Sequence, residues 1–240
     1  MANIIKIQNH LAKRERTKEK KRTIETKEVR VYFLIVCEGE KTEPNYFKSF
    51  KTNVKSFVYT IDAFGEATNT KDLVRKTIAK RDKSSLKYDS VWAVFDKDSF
   101  SANNFNSAIS LAESNNIKVG WTNEAFELWY LLHFQYRNTA MSRDEYKSAI
   151  EKEVNAKIAI LSKSKMPKLF VYEKNSKDMF AILENYGNQQ QAIKNAEKLI
   201  ANHNCSNYAI HNPCTRIHLL VKELNGDSVE LNEQIKADRM

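Results

Sequence analysis

No apolar run in the chain approaches the ~20 residues that a bilayer span requires, and the first residues are polar where a secretory leader would carry its apolar core. We therefore expect no membrane partner. Cysteine is scarce: Cys37, Cys205 and Cys214 are the only three in 240 residues. Cys37 lies inside an apolar run, and three such residues do not make a disulfide framework. A reducing, cytoplasmic setting is the expectation. The sequence also lacks a Gly-x4-Gly-Lys-[Ser/Thr] phosphate loop, so any nucleotide hydrolysis must come from another chain. No internal repeat or low-complexity tract interrupts it. What remains is long enough to bury a sizeable core, as one large α/β domain or such a domain with a helical appendage.

Negative charge is in deficit. The formal net charge is +9 and the pI about 9.3, a balance that favours polyanions such as nucleic acids or acidic surfaces. The excess is uneven, with nine basic against four acidic residues between Lys13 and Arg30. Residues 1–28 read as a basic N-terminal arm with few large apolar side chains. Lys13, Arg14, Arg16, Lys20, Lys21 and Arg22 are its candidate phosphate contacts, although a solvated helix with internal ion pairs has the same composition.

The apolar stretch Tyr32 to Val36 suits a central strand covered on both faces. It ends at Cys37-Glu38-Gly39. Gly39 permits a sharp turn, Thr42 can cap a helix with Glu43 and Pro44 in its first turn, and Tyr46, Phe47 and Phe50 give that helix an apolar stripe. A second apolar run, Asp89 to Phe95, ends in Asp96-Lys97-Asp98. Residues two apart share a strand face, so both aspartates can point the same way. Acids held together repel unless a cation lies between them, and hard oxygen donors suit Mg²⁺ or Mn²⁺. With Glu38, three carboxylates stand at strand ends, where open α/β sheets carry their sites. An ordinary turn plus a helix-terminus charge is the plainer alternative.

Between these strands we expect a strand over Ser56–Ala63 and a helix over Thr70–Lys83. Arg75 and Lys76 lie on the outward face of that helix, either against a nucleic-acid backbone or simply solvated. A helix over Asn103–Asn116 and a short strand over Ile117–Trp121 follow. The alternation predicts a wound, mainly parallel sheet over residues 29–137. Residues 138–240 read as a helical cap or flank, separate from the core or continuous with it. Its helices fall over Ser142–Lys163, Ser176–Tyr186, Gln189–Asn202 and Thr215–Leu224, with a strand signal only around Leu169–Tyr172.

Glu38-Gly39 after one apolar strand and Asp96-Lys97-Asp98 after a later one resemble the Toprim domain of topoisomerases, primases and overcoming-lysogenization-defect nucleases. The fuller wording resembles the RloB-like proteins of bacterial restriction and phage-defence loci. It comprises Cys37-Glu38-Gly39-Glu40-Lys41-Thr42-Glu43, Phe126-Glu127-Leu128-Trp129, Leu131-Leu132-His133-Phe134 and Asn212-Pro213-Cys214-Thr215, within Arg30 to Leu224. The resemblance implies an α/β fold with a Toprim-like wound sheet and a helical C-terminal cap. It also implies a Mg²⁺-dependent nuclease hydrolysing DNA or RNA, tRNA included, as an antiphage effector beside an ATPase partner. Asp96 and Asp98 are then ligands of Mg²⁺ or Mn²⁺, and Glu38 is a ligand or the general acid–base. Glu43 serves a second ion or is a favourable first-turn charge. Lys41 stabilises charge on a phosphoryl oxygen or is a surface lysine. No topoisomerase-like tyrosine is identifiable, which sets strand passage aside. Two rivals stay open: a nucleic-acid-binding adaptor with structural acids, and a small-molecule phosphatase using Asp-x-Asp, a pair that normally follows the first strand.

Glu127 sits in the apolar segment Ala125–Phe134. An ionised carboxylate there must be paired, hydrated or bound to a cation, so Glu127 either faces the acids or a nearby basic residue and positions the site, or is a buried strut. His133 lies about 120° away on a helix and is expected to make a structural or phosphate contact. His203, Cys205, His211, Cys214 and His218 supply enough zinc donors but no paired Cys-x2-Cys knuckle. The alternative places Cys214 as a small apolar residue ahead of a helix and His218 on that helix's surface.

Overall fold

Burial on both faces puts the apolar run from Phe33 to Cys37 at the centre of a sheet. The computed structural model describes residues 28–164 and 166–239; the arm candidates Lys13 to Arg22 lie outside the described residues. In chain order the elements are β1 (Val29–Cys37), α1 (Thr42–Lys48), β2 (Asn53–Val54), β3 (Phe57–Gly65), α2 (Thr70–Lys83), β4 (Ser90–Asp96), α3 (Ala102–Ser114) and β5 (Lys118–Asn123). Then follow α4 (Glu127–Leu132), α5 (Arg143–Leu161), α6 (Met179–Tyr186), α7 (Gln189–Ala201), β6 (Cys214–Thr215), α8 (Ile217–Leu224) and α9 (Val229–Arg239).

The fold is mixed α/β. Among the described residues six strands run in the order β2-β3-β1-β4-β5-β6. The inner four are parallel, and the short edge strands β2 and β6 are antiparallel to their neighbours. From β1 the chain winds outward to β3, then crosses back to β4 on the other side of β1. The winding therefore reverses between β1 and β4, and a crevice opens there beyond their carboxyl ends. Helices cover both faces, because alternate side chains of each strand need cover. Phe33 meets Tyr59, whose hydroxyl donates to the Glu223 carbonyl of α8, while on the other face Phe95 sits edge-on to Phe105 of α3.

The later residues share this core. β6 pairs with β5, the Thr122 and Thr215 hydroxyls lie 2.9 Å apart, and one apolar cluster runs from Val31 to Ile235. An aromatic knot ties α1 to α4 and α6: Tyr46 packs on Phe126, Tyr130 and Phe180 with centroids 5.5 to 5.8 Å apart, and Trp129 Nε1 donates to its hydroxyl. Among the described residues no helix is long and apolar enough to cross a membrane.

Three local expectations need correction, and one short strand was not expected. Leu169–Tyr172 is extended but forms no strand, because its backbone is bonded to α5 side chains: Phe170 to Asn155 at both its N–H and its C=O, and the Tyr172 N–H to Glu151. β6 carried no readable signal at two residues. Thr42 is the first helical residue of α1 rather than its cap; Lys41 holds the cap position and makes no side-chain cap bond. His218 is buried, not exposed, since α8 lies between β5 and α7.

Two glycines let the turn after β1 fold tightly, through space rather than backbone sign, since neither has positive φ. A Cβ on Gly39 would overlap the Glu43 carboxylate, and one on Gly65 would overlap the backbone of Gly39 and Glu40. Side-chain ends can swing aside and backbone cannot. Gly65→Ala should therefore lower stability by about 1–3 kcal/mol through overpacking. Urea denaturation checks this, and an unchanged midpoint would show that the turn gives way freely.

Candidate active site

The two central parallel strands end two residues apart in register, since Cys37 is opposite Val94 and β4 runs on to Asp96, so the acids at and just beyond their ends meet. Glu38 Oε2 accepts from the Asp96 backbone N–H at 3.2 Å. Asp96, at the end of β4, accepts from the Phe126 N–H at 3.0 Å, a donor left without an intrahelical partner at the start of α4. One residue later Glu127 turns into the same space, where the Tyr172 hydroxyl donates to it at 3.1 Å. Glu43 comes from the first turn of α1. Asp98 follows β4, its N–H held by the Glu124 carbonyl.

Together with Gly39, Glu40 and Thr42 these residues line a cavity of about 320 Å³. Its other wall belongs to the second half of the chain: Arg143, Lys174 and Asn175. Asn175 bridges to α1, accepting from Thr42 Oγ1 at 3.3 Å and from Asn45 Nδ2 at 3.2 Å. A larger hollow of about 910 Å³ lies at the opposite, amino end of the strands. Its buried acid, Glu223, is satisfied by Ser90, Trp92 and Lys118. The acid cavity is not satisfied in that way. Glu43 Oε2 is buried without a hydrogen-bond partner.

Among the described residues six carboxylates line this cavity against two cations. Burial, and then the charges of Glu43 and Glu127, push Asp96 well above the ordinary aspartate range, with Arg143 partly opposing. Burial and then Glu127 raise Glu43. Glu38 is pushed up to about 7, chiefly by burial, with the bond from Asp96 opposing and the charges of Glu43 and Asp98 adding. One guanidinium answers most of this. Arg143 Nη2 lies 3.3 Å from Asp96 and 3.4 Å from Asp98, and its Nε lies 3.8 Å from Glu127. Burial alone would lower the Arg143 pKa, but the surrounding acids outweigh it and raise it.

The structure thus brings Glu38, Glu43, Asp96, Asp98 and Glu127 together and leaves other candidates out. Lys41 is exposed and does not line the cavity; Arg143 and Lys174 stand where it was expected. Arg75 and Lys76 lie on α2, engaged by Asp72 at 2.7 Å and Glu66 at 3.1 Å. His133 makes no contact with this cavity. It is buried in the aromatic knot, its Nδ1 2.9 Å from the Trp129 carbonyl, and burial lowers its pKa to about 4. In the proposed zinc set the His203 and His211 rings stack at 4.2 Å, Cys205 Sγ is 3.4 Å from His211, and burial pushes Cys214 up to about 12.

Sequence reasoning missed Arg143, Lys174, Asn175 and Tyr172. Arg143 did leave a trace. It opens α5 directly behind a capping box of Ser142 and Glu145, and a cation in a first turn opposes the helix dipole.

The family model for RloB-like protein matches residues 33–224, most of the chain. The chain belongs to the RloB-like family. No curated protein and no solved structure matches it. Every acid of the cavity, and the Arg143, Lys174 and Asn175 wall, falls inside the matched span of this RloB-like chain.

Among the described residues no group of three or more His, Cys, Asp or Glu side chains is arranged to hold a metal ion. At the acid cavity the guanidinium of Arg143 stands among the carboxylates instead. The donor set still fits a hard divalent cation, being all oxygen, buried and crowded enough that its carboxyls are pushed up, and including one buried oxygen with no partner among the described residues.

The crowding has a pH signature. A carboxyl raised from 4.5 to about 7 is neutral in both states below pH 4.5. Folding then loses stability as pH rises from about 4.5 through 7, because the unfolded chain ionises first. In EDTA, Glu38→Gln should match the parent in urea midpoint near pH 4 and exceed it near pH 8. Equal midpoints at both pH values would show that burial and the neighbouring acids do not raise Glu38.

Proposed function

We propose that this RloB-like chain is a divalent-cation-dependent phosphodiesterase that cleaves nucleic acid, in the setting of antiphage defence that its family resemblance suggests. The observation that carries the reading is the excess of carboxylates in one cavity at the switch point of the sheet, in a chain whose net charge is +9. A basic protein draws polyanions towards itself, and a pocket of bare acids would then repel them. Arg143 and Lys174 offset part of that repulsion, and a bound divalent cation would offset the rest. A divalent ion held by Glu38, Asp96 and Asp98, with Glu43 beside them, would polarise a phosphate and ease deprotonation of water.

The chain's own residues supply the rest. In place of a ligand's role, Glu38 can serve as the carboxylate that accepts a proton from attacking water. Arg143 and Lys174 are placed on the far wall to take phosphate oxygens, the former as a planar donor fork. Glu127, held by Tyr172, orients Arg143 rather than touching the reacting atoms. Phe126 and its N–H fix Asp96. An ATPase partner and a cytoplasmic location accompany this reading.

The test is cleavage of labelled DNA and RNA by the purified chain. Asp96→Asn and Glu38→Gln should each lose at least about 10²-fold in rate, the scale of a lost acid–base group, and Glu127→Gln about tenfold, with circular dichroism unchanged. Full cleavage in EDTA, or by Asp96→Asn, would sink the reading in favour of a binding adaptor.

A further inference from the structure

Beyond the acid cavity, one surface of the molecule combines two features that rarely coincide. Five of the exposed large apolar side chains, Ile160, Leu161, Met166, Leu169 and Val171, fall within a dozen residues where α5 ends and the chain returns. Between Lys157 and Lys177 the sequence holds six lysines and one acid, Glu173. Lys157, Lys163, Lys168, Lys174 and Lys177 are exposed, and none forms an ion pair with a described residue. Met166 is 90% exposed, with Pro167 beside it and lysines on both sides.

This arm is braced against α5. Its return leg runs back along the helix, Phe170 fixed to Asn155 and Tyr172 to Glu151, with Phe170 and Tyr172 turned inward and Leu169 and Val171 outward. The leg ends at Lys174 and Asn175, which line the acid cavity. Arg143 opens α5 at that same cavity. A track with cations at its two ends therefore leads from the acids, at Arg143 and Lys174, to the tip, at Lys163 and Lys168, over the length of α5, about 28 Å at 1.5 Å per residue.

We propose that the described residues between 157 and 177 form a duplex-binding arm, with Lys157, Lys163 and Lys168 on the phosphates and the Met166-Pro167 tip wedged against a base step. This rests on the nucleic-acid reading of the cavity and names the form of its substrate. Single strands are held by aromatic platforms on which bases stack, and the exposed apolar side chains of the arm are aliphatic. Aliphatic wedges between cations are the device used on duplex grooves. At 3.4 Å per base pair the track spans about eight base pairs from the acid site.

The test uses the full chain in EDTA and labelled DNA duplex, RNA duplex and single strand, read by fluorescence anisotropy across a salt series. Lys163→Glu with Lys168→Glu should weaken binding to at least one duplex about tenfold and flatten the log–log salt slope by about 1.8, two phosphate contacts' worth. Met166→Ser should weaken the same duplex and abolish the fluorescence rise of 2-aminopurine at the wedged step. Melting temperatures should not move, since the tip is exposed. On a duplex shorter than about eight base pairs, parent and variants should bind alike.

Unchanged affinity and salt slope on both duplexes overturn the arm and leave the patch to a protein partner; tighter binding of the single strand overturns it as well. These readouts need no cleavage. A parent that binds duplex through the arm but never cuts it refutes the nuclease reading alone, whereas variants that cut and bind normally refute the arm alone.

Discussion

Everything in this molecule turns on the neutralisation of carboxylates where β1 and β4 end. Burying an unpaired carboxylate is among the costliest things a fold can do, and here three acids with little exposure, Glu43, Asp96 and Glu127, face one another. A single guanidinium from α5 keeps them together. The requirement propagates outward. Arg143 reaches the acids only because α5 begins at Ser142 beside them, and α5 lies where it does because Tyr146, Ile150 and Val154 are buried in the common core. The second half of the chain is therefore a wall of the site rather than an ornament on a finished domain.

The parts of this arrangement that could be read from the sequence are those written in short range. β1 and β4 declare themselves as unbroken apolar runs, and acids immediately after such runs must lie at the carboxyl edge. Glu127 stands out because nothing else in Ala125–Phe134 tolerates a charge. What could not be read depends on distance along the chain. Arg143 is 47 residues from Asp96, and an arginine on an amphipathic helix looks like any solvated charge. For Lys41 the sequence left two readings open, and the structure places it on the surface, since nearness in sequence to Glu38 says nothing about direction once the chain turns at Gly39. His218 looked exposed because two-residue β6, too short for any periodicity, is what carries α8 into the sheet.

The net charge of the chain and the charge of its cavity have opposite signs, and they act over different ranges. Lysines and arginines spread over the surface set the field felt by a large polyanion at a distance, screened within about 8–10 Å at ordinary salt. The acids act only at contact, inside a cavity of about 320 Å³. Residues at the rim, Arg143 and Lys174, belong to both regimes.

The edge strand β6 sets a timetable. Its Thr215 meets Thr122 across 93 residues of chain, so while the protein is being made β5 is an unpaired parallel edge until that segment emerges. At roughly 5–20 residues per second the wait is on the order of 5–20 s. An open edge of this kind is a template for wrong pairing, and β5 is short and ends in the polar pair Thr122 and Asn123. The chain thus spends its most vulnerable interval with a brief and partly polar edge on display, and the last strand to arrive seals it.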